Sequence, residues 1–371
     1  MLHEPLTRRN LFQLTAAAFC GGSLWALEAP AWRRDVSTPP HNLPQPKRAL
    51  APLLVDESGN SIDSLDDWRP QAKSLRAQWQ KYLGTLDRSQ RPSEEYEIVS
   101  EEVVGNLIRQ KITYLSEPDL RVPAYLLFAR QRKPNSLRPG IVALHPTTAE
   151  TIQPIAGLSG PEEKQSAIHL AEAGFVVLCP ENFLWQNAES YDQAVENFQK
   201  RHPGSLGMSK MLWDAQRAVD ILSSVPGVNP HKIGTFGHSL GAKEVLYLTA
   251  FDERVKATVF SEGGIAFEST NWDAPWYLGQ GIHQDDFSLN HHQLLALCAP
   301  RPFLVLAGEE GRGAADGDRS WPCLAAAQEV YALYGQSGAL GLFNHRQGHA
   351  IPLAARRKMI EWLTWGLTEL D

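Results

Sequence analysis

Cysteine is scarce in this 371-residue chain: four occur, at positions 20, 179, 298 and 323, and no two of them stand as C-x-x-C. That excludes a disulfide-built scaffold and the usual paired-ligand metal sites, so neither a metal nor another cofactor is expected. Charge of one sign is also missing, since 35 Lys and Arg stand against 42 Asp and Glu for a net charge of −7, with no basic block. Without such a block the attraction to phosphate that carries non-specific nucleic-acid binding is lacking, and no nucleic-acid partner is expected. No internal repeat is visible, and 43% hydrophobic with 21% charged residues excludes a disordered, collagen-like or coiled-coil chain.

The first thirty residues read as separate from the fold. Thr7-Arg8-Arg9-Asn10-Leu11-Phe12 sets a twin arginine before an apolar stretch, Leu11 to Leu27, that is rich in Ala and Gly. This stretch is short and weakly apolar, so residues 1–31 resemble a twin-arginine export signal rather than a membrane anchor, with Ala29-Pro30-Ala31 as a small-residue cleavage site. A periplasmic or extracellular location is the expectation, with no stable membrane anchor once the signal is cleaved. In such an oxidising compartment at most one disulfide can form among Cys179, Cys298 and Cys323. Residues 32–60, rich in Pro, Ser and Asn without an apolar period, read as a Pro-rich linker or an extended wrap.

From residue 61 to 371 a single α/β domain is expected. Ser64 can cap a helix running through about Leu83, with Asp66 and Asp67 at its positive end, Leu75, Trp79 and Leu83 recurring every four residues, and Gly84 closing it. Extended segments follow from Tyr96 to Arg130 as antiparallel opening strands. Short apolar runs then come at Gly140 to Leu144, Phe175 to Leu178, Lys232 to Phe236, Ala257 to Phe260 and Pro302 to Ala307. They alternate with helix-length segments at Pro161 to Ala173, Met208 to Ser223, Ala242 to Phe251, Asn290 to Leu297 and Pro322 to Tyr334. Runs apolar on consecutive residues suit strands buried on both faces, so the pattern predicts a mostly parallel central sheet with helices on both sides.

Chemistry concentrates where one of these strands meets its helix. Gly237-His238-Ser239-Leu240-Gly241 follows Lys232-Ile-Gly-Thr-Phe and opens the segment Ala242 to Phe251. A serine on a tight strand-to-helix turn has its hydroxyl projected by a strained backbone, with the next N–H aimed at a developing oxyanion. Ser239 is therefore the candidate nucleophile. Its base is expected late in the chain, where His349 follows Gly348 just before the closing helix, with His345 the alternative. The acid is expected beyond the strand ending at Ala307, among Glu309, Glu310, Asp316 and Asp318. Asp318, four residues before Pro322, is the first choice, with Asp316 next to it and Glu262, after the preceding strand, as alternatives. Thr147, after the proline in His145-Pro146-Thr147, is the expected second oxyanion donor beside Leu240, because proline has no N–H. His145, Lys243, Trp272, Trp276 and Trp321, with Trp185 and Tyr277, stand in or beside loops after strands, where flat rings would suit sugar faces.

On these residues the chain resembles the α/β-hydrolase superfamily from about Glu97 to the C-terminus. Asp214-Ala-Gln-Arg-Ala-Val-Asp ahead of the elbow, with His349 in a Gly-His context, looks like the dienelactone hydrolase and acetyl xylan esterase group. A second resemblance is to glucuronoyl esterases: Ala250-Phe-Asp-Glu-Arg-Val, Leu294-Leu-Ala-Leu-Cys-Ala-Pro-Arg-Pro, and Lys243 four residues after the serine. That family has Cys and Arg on either side of its serine, where this chain has His238 and Leu240. The resemblances imply a cofactor-free serine carboxylic-ester hydrolase working through an acyl-enzyme, on acetyl or other small acyl esters of carbohydrates or on sugar-acid esters. A serine peptidase of the same fold and a non-catalytic glycan-binding protein are the competing expectations.

Overall fold

The computed structural model describes residues 31–84, 86–131 and 136–370; the expected export signal, residues 1–30 of it, lies outside them. Nine strands form one sheet: β1 Tyr96–Val104, β2 Leu107–Glu117, β3 Leu120–Ala129, β4 Arg138–Leu144, β5 Val176–Pro180, β6 Val228–His238, β7 Val255–Ser261, β8 Phe303–Ala307 and β9 Leu340–Asn344. Their order across the sheet is β1-β2-β3-β5-β4-β6-β7-β8-β9. β1, β2, β3 and β5 pair antiparallel in sequence, while β4 is parallel to both β5 and β6, and β6 through β9 continue in parallel.

The helices are α1 Ala31–Ser37, α2 Leu65–Leu83, α3 Ser166–Glu172, α4 Tyr191–Arg201, α5 Gly207–Ser224, α6 Leu240–Phe251, α7 His291–Cys298, α8 Trp321–Leu333 and α9 Leu353–Thr364. Because β5 lies on one side of β4 and β6 on the other, right-handed crossovers send α3 and α5 to opposite faces of the sheet. The contacts agree: α5 packs on β4, β6 and α6, and α7 packs between α6 and α8, whereas α9 lies on β7 and β8. Arg356 of α9 reaches Glu162 and His169 beside α3, so those two helices share the second face. Strands β5 and β8 are buried at every position, as unbroken apolar runs covered on both faces require. Among the described residues no helix is long and apolar enough to cross a membrane.

Two features depart from the sequence reading, and a third settles a point it left open. Residues 31–37, read as the last residue of the signal and the start of a Pro-rich linker or extended wrap, form α1: Val36 is fully buried against Gly341 of β9, the Trp32 ring meets Trp362 edge-on at 6.3 Å, and Arg33 lies over Trp365. Trp32 and Val36, four residues apart, are one apolar face of a single amphipathic turn. The following stretch is strapped to the body through buried Leu53 and by hydrogen bonds from His292 Nε2 to the Ala51 carbonyl and from Arg48 to the Ile282 carbonyl. Secondly, β9 and α4 were not anticipated, because Leu340-Gly-Leu-Phe is short and interrupted by glycine and only Ala194, Val195 and Phe198 of α4 are buried. Thirdly, Cys179, Cys298 and Cys323 are all buried free thiols, so no disulfide links them. Burial pushes the Cys298 and Cys323 thiols up to about 12, which leaves them protonated.

Candidate active site

All the candidate groups lie at the C-terminal ends of the parallel strands, where an open α/β sheet leaves a crevice. Ser239 joins β6 to α6 with φ 59° and ψ −113°, a conformation costly for any residue with a side chain. It is held there by its own N–H, which donates to the Ser261 carbonyl of β7 at 2.8 Å, and by its carbonyl, which accepts from Lys243 N at 3.2 Å. Two glycines make the turn possible. A Cβ on Gly237 would collide with the Gly241 carbonyl, and one on Gly241 with the Leu144 carbonyl of β4. Leu240 opens α6, so its N–H is a free donor of the helix N-terminus, beside the positive end of the helix dipole. Its side chain is buried in the core.

His349 is half-buried in the loop after β9, its ring centroid 4.7 Å from that of His238. The His238 ring in turn meets Ser261 Oγ through Nδ1 at 2.9 Å. Burial lowers the pKa of His349, opposed by the negative charge of Asp316, and burial lowers that of His238 more strongly. Both rings are therefore neutral near pH 7, the state a general base needs.

The acid facing His349 is Glu262. Its Oε2 lies 3.9 Å from His349 Nδ1, and its Oε1 lies 3.6 Å from His345 Nε2. Glu262 sits just beyond β7 at φ 55°, and backbone N–H groups of Gly308 and Ala315 donate to its two oxygens, the latter at 2.8 Å. Burial, and next the charge of Asp316, push its carboxyl up to about 9.

Asp318, the first choice on spacing, does not reach the base. Asn344 Nδ2 donates to its Oδ1 at 3.0 Å and Arg346 pairs with its Oδ2 at 3.0 Å, which turns the carboxylate toward the surface. Asp316 is fully buried, and it accepts from Gly264 N at 2.8 Å, Ile265 N at 2.9 Å and Ser320 Oγ at 2.5 Å. It is a clamp on the turn that carries Glu262. The loop spacing identified two carboxylates correctly as neighbours of the site, but not where backbone donors aim them.

Lys243 and Trp272 also differ from pocket-lining residues. Lys243 is 3% exposed, its Nζ donates to the Gly263 carbonyl at 2.8 Å and Thr270 Oγ1 at 3.2 Å, and it lies 4.0 Å from the Trp272 ring centre. Trp272 is fully buried, with Nε1 donating to the Gly264 carbonyl at 2.7 Å. Both brace the Glu262 turn from beneath. Trp321 is buried in the core at the start of α8. His145 is buried as well: its Nε2 accepts from Asn182 N at 3.0 Å, and burial pushes its pKa down to about 4. Thr147 is exposed in the loop after β4. Trp276 is half-buried and belongs to a row of rings in which His145, Trp185, Tyr191 and Trp276 follow at centroid spacings of 5.0, 5.0 and 5.5 Å. Tyr191 was missed because α4 was missed. Among the described residues no group of three or more His, Cys, Asp or Glu is arranged to hold a metal ion.

Similarity to known proteins follows the same segment. The sequence model of the Dienelactone hydrolase family matches residues 143–281. The solved structure of a glucuronoyl esterase from Solibacter usitatus superposes with a TM-score of 0.71 at 17% identity, covering 87% of this chain and 98% of that one. A glucuronoyl esterase from Teredinibacter turnerae gives a TM-score of 0.65 at 23% identity, over 85% of this chain and 88% of that one.

The chain has the α/β-hydrolase fold.

Among curated relatives, the putative hydrolase YtaP of Bacillus subtilis is 28% identical to this chain over 170 residues, 43% of this chain and 54% of YtaP. A 4-O-methyl-glucuronoyl methylesterase of Phanerochaete carnosa is 29% identical over 123 residues, 26% of this chain and 30% of that protein. The chain thus matches about half or less of the length of these curated relatives.

Proposed function

We propose that this α/β-hydrolase is an exported serine carboxylic-ester hydrolase acting on carbohydrate esters, with esters of sugar acids as its substrates ahead of acetyl esters. The observation that carries the reaction class is the strained elbow at Ser239, with the His349 ring packed 4.7 Å from that of the adjoining His238 and the Glu262 carboxyl 3.9 Å from His349 Nδ1. Support for the sugar-acid choice comes from the likeness to glucuronoyl esterases in both sequence and fold.

In this reading Ser239 Oγ attacks the acyl carbon while His349 takes its proton and delivers it to the leaving alcohol. Glu262 holds the imidazole through Nδ1 and stabilises its charged form, which replaces the Asp318 role expected from spacing. The distance of 3.9 Å is that of a resting site, where catalytic hydrogen bonds are commonly long and tighten with substrate. Leu240 N–H and Thr147 N–H stabilise the tetrahedral oxyanion, at about 3 kcal/mol for each donor. With Leu240 in place of an arginine, that charge rests on backbone dipoles alone. Water activated by His349 then releases the acid. The half-buried rings of Trp185, Tyr191 and Trp276 offer flat faces beside the oxyanion loop for a sugar or aryl group.

The test compares the purified chain from Ala31 with Ser239→Ala on a glucuronate benzyl ester, acetylated xylan and aryl acetates. Turnover of the glucuronate ester with the highest kcat/KM, and a loss of about 10⁴-fold or more in the variant, is expected. Preference for acetates would replace sugar-acid esters by acetyl esters. Equal inactivity of both proteins would contradict ester hydrolysis and favour glycan binding without chemistry.

A further inference from the structure

One carboxylate, Glu262, faces two histidines, and the mechanism above uses only one of them. His345 is buried, with a side chain 2% exposed, and its Nε2 lies 3.6 Å from Glu262 Oε1 while His349 occupies the side of Oε2. Neither facing nitrogen has another hydrogen-bond partner. At the far side of the His345 ring, Nδ1 accepts from Gln347 N at 3.2 Å. A nitrogen that accepts carries no proton, so the neutral ring has its proton on Nε2, directed at Glu262. The backbone fixes the ring in place, since His345 N donates to the Ala307 carbonyl at 2.8 Å.

We propose that His345 is a positioning residue of this hydrolase: as the Nε2–H tautomer it favours the ionised form of Glu262 and aims it at His349. The inference rests on the triad reading above. Glu262 is short of compensation without it. The nearby groups are Asp316 and Arg319 from the loop after β8, His238 at the end of β6, Lys243 on α6, His349 after β9, and Lys164 ahead of α3. Asp316 opposes ionisation of Glu262, Arg319 favours it, and burial opposes it most. The Gly308, Ala315 and Asp316 N–H groups donate to it, and His345 Nε2 stands 3.6 Å from Oε1, one small side-chain movement from a further donor bond. Removing His345 leaves a carboxyl that holds its proton more tightly still and supports the His349 imidazolium less.

The experiment measures inactivation by an aryl fluorophosphonate, which reports on Ser239 whatever the natural ester is, as a function of pH. Wild type, His345→Leu and His345→Gln are compared, because the Gln amide can present an N–H at the reach of Nε2. The expected result is that the rising acid limb of His345→Leu moves to higher pH by about one unit or more, with the rate near pH 7 reduced about tenfold or more, while His345→Gln stays near wild type. A limb that stays in place in His345→Leu overturns the proposal and leaves the triad reading intact. Failure of wild type to be modified at Ser239 overturns the triad reading and this proposal with it. If His345→Leu does not fold, the ring nitrogens of His345 in the wild-type protein decide by NMR: a proton on Nε2 supports the proposal, and one on Nδ1 overturns it.

Discussion

Two turns at the same end of the sheet each carry acidic residues, and they treat them oppositely. After β7, Glu262 stands at φ 55° with both oxygens on backbone donors, and the turn around it is tied by Lys243 to Gly263, by Trp272 to the Gly264 carbonyl, and by Asp316 to the N–H groups of Gly264 and Ile265. After β8, Asp318 sits in a half-buried lattice of side chains with Asn344 and Glu309, closed on the solvent side by exposed Arg346. The difference teaches that position in the chain does not select the acid partner of a histidine. The backbone N–H groups do, by fixing a buried carboxylate where water cannot compete.

The sharpest way to break this comparison is Glu262→Gln, which should lower kcat/KM by about 10³–10⁴-fold with the fold retained. An effect below about tenfold, measured on whichever ester wild type hydrolyses, would remove Glu262 from the triad. Next in size is pH. Burial holds the pKa of His145 down to about 4 and that of His291 down to about 3. A depressed histidine binds its proton more weakly folded than unfolded, so stability is full above about pH 6.5 and is lost as pH falls toward 4, by about 1.4 kcal/mol for each unit between the two pKa values. Raised carboxyls such as Glu262 act with the opposite sign over the same window, so the check is on the rings themselves: NMR at pH 5 should find His145 and His291 neutral, and a protonated ring at that pH would contradict the buried neutral state.

Asp316→Asn sharpens the account of the clamp. An amide cannot accept from both Gly264 N and Ile265 N without turning a donor toward one of them, so stability should fall by about 1–3 kcal/mol and activity along with it. Lys243→Met leaves the Gly263 carbonyl and Thr270 without their cation and should cost about 1–2 kcal/mol in thermal melts. Smallest of all is Asp318→Asn, whose surface ion pair with Arg346 is worth about 0–1 kcal/mol and whose activity should remain within about threefold of wild type.

Much of this was legible in the sequence because local rules carried it. Ser239 between Gly237 and Gly241 could be assigned to a strained turn, since apolar Lys232 to Phe236 precedes it and a helical run follows. The parallel strands could be found because burial on both faces leaves unbroken apolar runs, as in β5 and β8. β9 escaped because five residues with a glycine in second place carry little pattern, and α1 because its apolar face is only Trp32 and Val36. The order among the candidate acids Asp318, Asp316 and Glu262 was not legible for a different reason. Asp318 and Glu262 differ in which distant N–H groups surround them, Gly308 and Ala315 for Glu262, and residues 46 and 53 positions away leave no trace in local spacing. His345 had a visible signal, a second histidine in His345-Arg-Gln-Gly-His349, but its burial against Glu262 depends on the same long-range closure.

The most direct test of the central claim, that Glu262 is the carboxylate holding His349, is the proton NMR spectrum of the phosphonate adduct on Ser239. Formation of the imidazolium should bring the His349 Nδ1 proton into a strong hydrogen bond and far downfield. The account predicts that this resonance is present in wild type and Asp318→Asn and absent in Glu262→Gln. Its loss in Asp318→Asn with retention in Glu262→Gln would contradict it.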